Sequence, residues 1–292
     1  MTAFQNSEAE LRRIHRRKRI NSFAHGLFFA STTVGVIALA TLLIQVVSQG
    51  AGWLDWSFLT EFSSRIPSNA GIKAAFFGTL WLMAITAPLT FMIGVSTAIY
   101  LEEYAKDTKI SRIIQTNISN LAGVPSIVYG LLGLTIFVRF LNFKDSILSG
   151  ALTMTLLVLP IIIVAAQEAI RAVPVSLRHA SYALGTNRWQ TILRVVLPSA
   201  FPGILTGSIL SLSRAIGETA PLIVIGAVGY VAFTPTSVFD RFTVMPMQIY
   251  TWASQPQAEF QNVAAAGIIV LLIMLLGMNA FAIYLRNRFQ RK

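Results

Sequence analysis

The 292-residue chain has no cysteine. That excludes a disulfide framework, thiolate metal sites and a cysteine nucleophile. Its three histidines, His15, His25 and His179, are scattered, and no pair has the spacing of metal ligands. No GxxxxGK[ST] phosphate-binding loop occurs, so ATP hydrolysis through a P-loop is not expected of this chain. Charge is scarce too. Only 12% of residues are Asp, Glu, Lys or Arg, about half the share of an ordinary soluble domain. The expectation is a chain with no catalytic residue, no metal site and no bound cofactor.

What the chain has is apolar length: 54% of it is hydrophobic. A spanning helix needs about 20 mostly apolar residues. Six runs qualify: Phe23–Val47, Ala74–Leu101, Ile113–Leu141, Ile147–Ala166, Phe201–Ala232 and Val263–Tyr284. The class is an all-α membrane protein with six spans. The third and fifth runs carry proline and glycine, so breaks are expected in them. No internal repeat of the spans is evident.

The net charge of +11 is explained by its placement. Lys and Arg cluster before the first run, after the second, after the fourth and at the C-terminus, with seventeen on that side. The opposite connections hold five: Arg65, Lys73, Arg139, Lys144 and Arg241. By the positive-inside rule both termini are cytoplasmic. The basic stretch RRIHRRKR (12–19) is then a topology signal with some affinity for anionic lipid, not a nucleic-acid site. Residues 1–22 read as a basic tail and 23–292 as the transmembrane domain. The first run exceeds a signal-peptide core, and no A-x-A cleavage site follows it. The outer loops, 48–73 and 233–262, carry Trp53, Trp56, Phe58, Phe62, Tyr250 and Trp252. These are interfacial anchors or a docking surface.

One cation remains, and it is inside a span. Gly203–Val231 reads GILTGSILSLSRAIGETAPLIVIGAVGYV, with Arg214 and Glu218 as its charges. A charge near the bilayer centre costs about 3 kcal/mol or more. Four residues apart on a helix, the two share a face and can pair. Pro221 cannot donate to the carbonyl of Gly217, and Gly217 loosens the helix further. With Ser213 beside them, these residues form a candidate path or gate, like the discontinuous helices that line transport sites. The plainer reading is an ion pair that joins helices. Asn117, Asn120, Ser126 and Tyr129 in the third run are weaker path candidates, or interhelical hydrogen-bonding groups. Pro125 is expected to kink that run.

The connection 167–200 is the longest on the basic side. Trp189, Ile192, Leu193, Val196 and Leu197 recur at helical spacing. Short helices joined at Gly185 and lying flat under the membrane are expected, either as an interfacial loop or as a docking knob. The loop resembles the EAA loop of ABC importer permeases. His179-Ala180-Ser181 stands in the EAA place, and Gly185, Val195 and Leu197-Pro198 follow at matching spacing. His179 replaces the usual Glu and Ser181 the second Ala, which puts in doubt a salt bridge to the partner but not the loop.

Four further stretches narrow the resemblance: LEEYA (101–105), NLAGVPSIVYGLLGL (120–134), YALGTNRWQTI (182–192) and SRAIGETAPLI (213–223). From about residue 70 to 285 the chain resembles the A-type permeases of bacterial phosphate-specific ABC importers. The resemblance implies a type I importer permease fold in the bacterial inner membrane. It implies a second homologous permease, two ATPase subunits that use ATP-Mg, and an extracytoplasmic phosphate-binding protein. In such a permease Arg214 offers phosphate two parallel N–H donors. Glu218 accepts a phosphate proton's hydrogen bond or holds Arg214 when the path is empty. The other readings are a sulfate or molybdate permease, a proton-coupled secondary anion transporter, and an anion channel or signalling protein.

Overall fold

The computed structural model describes residues 2–227 and 230–290. Met1, Arg291 and Lys292 lie outside the described residues, as do the side chain of Arg12 and, within the expected fifth span, Val228 and Gly229. Among the described residues the chain is helical, with one isolated β-bridge between Ser146 and Arg241.

Five helical rods are long and apolar enough to cross a membrane: Arg13–Trp53, Lys73–Tyr104, Ile147–Arg171, Arg188–Ile216 and Glu259–Arg288. A sixth crossing exists if the bent pair Lys109–Leu121 and Ser126–Phe140, which meet at 103°, is one span. In chain order, α1 is Thr2–Gly50 and α2 is the short Trp56–Thr60. α3 (Lys73–Ile99) ends in a π-helical turn, Tyr100–Tyr104. α4 is Lys109–Leu121, and α5 (Ser126–Gly133) runs into a second π turn, Leu134–Phe140. α6 is Ile147–Arg171 and α7 is Val175–Ala183. α8 (Arg188–Thr191), a π turn (Ile192–Val196) and α9 (Leu197–Ile216) form one 29-residue rod. α10 (Ala220–Ile225), α11 (Met245–Ala253) and α12 (Glu259–Gln290) follow.

α6 is the central helix. Most of its apolar window is buried, among neighbours from α3, α5, α9 and α10. Met154, Ile162, Leu222, Ile225 and Phe242 form the mid-bundle core. At one end Ile72, Met245, Trp252, Phe260 and Val263 join α3, α11 and α12. At the other Ala98, Ile170, Val196 and Ile204 join α3, α6 and α9. Small residues allow α9 to approach α6: a Cβ on Gly203 would lie 2.9 Å from the Cβ of Ala169, and one on Gly207 2.6 Å from that of Ala165. Such small-residue seams take the place of hydrophobic driving force in lipid. α1 differs from the rest. No residue of its apolar window is buried, and its packed end is Gly50, set against Ala265 and Ala266 of α12. The helix also runs unbroken through the expected tail–span boundary at residue 22.

The structure corrects two expectations. The fifth span does not run Phe201–Ala232. It starts at Arg188 and stops at Ile216. The amphipathic run Trp189–Leu197 is therefore the base of that span, not a separate helix lying flat. Leu197-Pro198 fails to end the helix because a π turn precedes it. Leu197 N–H reaches back to the carbonyl of Ile192, and this shifted register absorbs the donor that Pro198 lacks.

Gly207→Val overpacks the α6–α9 seam, a change that costs about 1–3 kcal/mol. The melting temperature of the purified protein should fall, whereas Gly35→Val, on open α1 surface, should leave it unchanged.

Candidate functional site

The segment that ends α9 builds the site. Gly217 is the C-cap of α9, and its N–H returns to the carbonyl of Arg214 at 3.1 Å. Glu218 N–H bonds Ala215 at 3.1 Å. Pro221 lies not in a helix interior but in the first turn of α10, where a missing N–H costs nothing. The interruption thus falls at Gly217–Thr219 and contains Glu218, while Arg214 is in the last turn of α9. The pair persists across it, with Arg214 Nε 3.5 Å from Glu218 Oε1. A charge-assisted hydrogen bond is shorter, about 2.7–2.9 Å. The Arg214 side chain is 67% exposed and that of Glu218 19%. Among the described residues, the two Nη groups of Arg214 have no protein acceptor. Glu218 thus offsets the charge while leaving most of the guanidinium fork open.

The fork faces a cavity of about 290 Å³. Its walls are Arg214, Ala215, Ser211 and Glu218, the middle of α6 (Leu157, Val158, Ile161), and the α4–α5 break (Leu121–Ser126, Tyr129). In that break Gly123 N–H bonds Asn120 and Val124 N–H bonds Leu121. Val128 N–H bonds the carbonyl of Pro125, so the proline starts α5 rather than kinking a continuous helix. Tyr129 spans the bend, its hydroxyl donating to the Leu121 carbonyl at 2.8 Å. α5 lies directly on α10, since a Cβ at Gly130 would come within 2.8 Å of Pro221 Cα. The two interrupted segments therefore support each other around one space.

Arg214, Glu218, Ser126 and Tyr129 line that space. Ser213 does not. Its hydroxyl bonds the Ile209 carbonyl and Asn279 of α12, so it joins helices. Gly217 and Pro221 shape the break without lining the cavity. Asn117 is exposed and bonds the Ile113 carbonyl of its own helix. Asn120 is exposed and accepts the turn bond from Gly123.

The end of the bundle near residues 172–187 is held by LEEYA. Glu102 accepts from Arg171 (Nη2, 2.7 Å; Nε, 2.8 Å) and from Gln167 (2.8 Å). Glu103 accepts from Arg178 of α7 at 2.9 Å. Arg178 also donates to the carbonyls of Val173 (2.6 Å) and Ile170 (3.0 Å). Tyr104 lies under the guanidinium of Arg188, 5.2 Å from ring centre. Gly185 takes φ +82, the left-handed turn open to glycine. Around it the hydroxyls of Ser181, Thr186 and Thr191 are 2.7–3.0 Å apart, and Asn187 with Gln190 forms a capping box. His179 and Ala180 are exposed, as are Tyr182, Leu184 and Trp189. Leu197 and Pro198 carry the rod onward. The Arg178–Glu103 link lay outside the sequence reading, because it joins residues 75 positions apart.

A family described as the inner membrane component of binding-protein-dependent transport systems matches residues 91–292. The chain belongs to that family. A phosphate transport system permease protein, PstA 1, of Mycobacterium tuberculosis (strain CDC 1551 / Oshkosh) is 37% identical, over 89% of this chain and 86% of its own. A probable ABC transporter permease, YqgI, of Bacillus subtilis (strain 168) is 32% identical, over 94% and 98%. Among solved structures, a bacterial alginate ABC transporter aligns with TM-score 0.67 at 14% identity, over 92% of this chain and 96% of that one. The MetNI methionine transporter, inward facing, aligns with TM-score 0.60 at 18% identity, over 73% and 94%. The fold is that of type I ABC importer permeases.

The bonds of Arg178 fix α7 to α3 and α6. The side chains of Arg178 and Glu103 are 17% and 9% exposed. Breaking a buried pair by removing one partner costs about 3–5 kcal/mol. Arg178→Ala should therefore lower the melting temperature markedly, and the double change Arg178→Met with Glu103→Leu should recover most of that loss.

Proposed function

We propose that the chain is the transmembrane permease subunit of an ATP-driven importer of inorganic phosphate. It forms the translocation path with a second homologous permease. Two ATPase subunits dock on the 172–187 end and use ATP-Mg, so this chain catalyses nothing itself. A phosphate-binding protein docks on the opposite, extracytoplasmic face. The chain resides in the bacterial inner membrane with both termini cytoplasmic, as its Lys and Arg distribution supports.

The observation that carries this reading is the open guanidinium of Arg214 on a mid-bundle cavity. A planar fork matches two phosphate oxygens, and the surrounding apolar wall strengthens the attraction. Glu218 is the latch. It holds Arg214 between transport events and keeps the site from binding anions too tightly to release them. The relatives named as phosphate permeases support phosphate over sulfate or molybdate.

Labelled-phosphate uptake in cells lacking this chain tests the reading. The wild-type chain should restore uptake that needs ATP and survives a protonophore. Arg214→Ala should abolish it, and Arg214→Lys, which keeps the charge but loses the fork, should reduce it about tenfold or more. Uptake that follows the proton gradient, or near-normal uptake with Arg214→Lys, would contradict the proposal.

A further inference from the structure

A second cavity, of about 550 Å³, lies at the end of the bundle where α3 and α12 begin. It shares no lining residue with the cavity beside Arg214. Its floor is buried: Ser63, Gln248, Trp252 and Phe260. Arg65, Tyr230, Gln255 and Gln257 stand exposed at its rim. Among the described residues, Arg65 is the only charged residue that lines it.

Two floor residues are unfinished. Gln248 is 1% exposed and Trp252 2%, yet Gln248 Oε1 and Trp252 Nε1 have no hydrogen-bond partner. Buried polar atoms are rarely left so, because each forfeits its hydration. Each side chain is held on one side by a neighbour. Gln248 Nε2 donates to Ser63 Oγ at 3.1 Å, which leaves the Ser63 proton free to donate. The Trp252 ring packs on Phe58 with centroids 5.8 Å apart. Arg65, Trp252, Ser63 and Gln248 all line the cavity: the first three carry donors, and Gln248 Oε1 is an unpartnered acceptor. Gln248 Oε1 and Trp252 Nε1 lie beneath the surface that water touches, so an ion meets them after a small rotation of these side chains.

We propose that this cavity is a receiving site for a small oxyanion that still carries a proton, the hydrogen-phosphate class, on the extracytoplasmic face. Its oxygens accept from Arg65, Trp252 Nε1 and Ser63, while its P–OH donates to Gln248 Oε1. Sulfate, which has no proton at neutral pH, sets an oxygen against the Gln248 oxygen and is disfavoured. Leaving a buried polar group unpaired discriminates strongly. The proposal rests on the phosphate reading above and adds a station ahead of Arg214 where the ion waits.

The test uses the assembled transporter in nanodiscs without its binding protein, titrated with labelled inorganic phosphate, with sulfate and acetate as competing arms. Trp252→Phe removes the N–H and keeps the ring. Gln248→Glu adds a repelling charge, and Gln248→Met removes the acceptor alone. Each should weaken phosphate binding about tenfold or more, and Arg214→Ala should leave this binding in place. Sulfate should compete at least about tenfold less well than phosphate. Wild-type binding in variants of unchanged melting temperature overturns the site, as does equal competition by sulfate. Displacement by acetate also overturns it and points instead to a carboxylate from a docked protein. If wild type imports phosphate and these variants keep its KM, the receiving site fails while the function stands. If wild type imports none, the function reading fails and the titration alone decides the site.

Discussion

The rest of the structure depends on how two charges are accommodated inside an apolar bundle. Arg214 and Glu218 are costly in a membrane-spanning segment unless they pair, and a helix cannot stop there without satisfying its last carbonyls. One local arrangement meets both demands. The chain turns at Gly217 and returns two backbone N–H groups to Arg214 and Ala215. It restarts at Pro221, where no N–H is required, and Glu218 stays within 3.5 Å of the guanidinium. The bent α4–α5 pair covers the break through Gly130 and Pro221. The cavity is what remains between two interrupted segments and the middle of α6.

The rod that ends in α9 joins the cavity to the 172–187 end of the bundle. Arg188, just after the turn at Gly185, and Arg214, on the cavity, belong to one 29-residue rod. At 1.5 Å per residue that rod is about 43 Å long. Its lower end touches Tyr104, and α7 beside it is tied to Glu103. With ATPases docked there as proposed, a displacement of residues 179–197 would pass to α3 and α6 through these bonds and along the rod to Arg214.

Much of this was legible in the sequence, for identifiable reasons. Long apolar runs report spans because lipid leaves no alternative for the backbone. The four quoted motifs each mark an irregular turn: the π turn of LEEYA, the bend of NLAGVPS, the left-handed glycine of YALGTN and the break of SRAIGETAP. Gly and Pro announce such places. What they do not announce is which side of the punctuation the helix occupies. Pro198 sits inside a continuous rod, and Pro221 opens a new helix. Side-chain direction was also hidden. Ser213 and Arg214 are adjacent in sequence but about 100° apart around the helix axis, so one faces α12 and the other the cavity. The Arg178–Glu103 and Arg171–Glu102 bonds join distant segments, and nothing in the local pattern of either partner signals them.

The absence of cysteine in this chain makes the central claim directly measurable. Ser126 lines the same cavity as Arg214, at the α4–α5 bend, so Ser126→Cys places this chain's only thiol there. In the assembled transporter, an anionic methanethiosulfonate should label that thiol faster than a cationic one of equal size. Phosphate should slow the labelling, and both effects should vanish with Arg214→Ala. Faster labelling by the cation, or labelling indifferent to phosphate and to Arg214, would mean that the cavity does not carry the anion and that Arg214 and Glu218 only join helices.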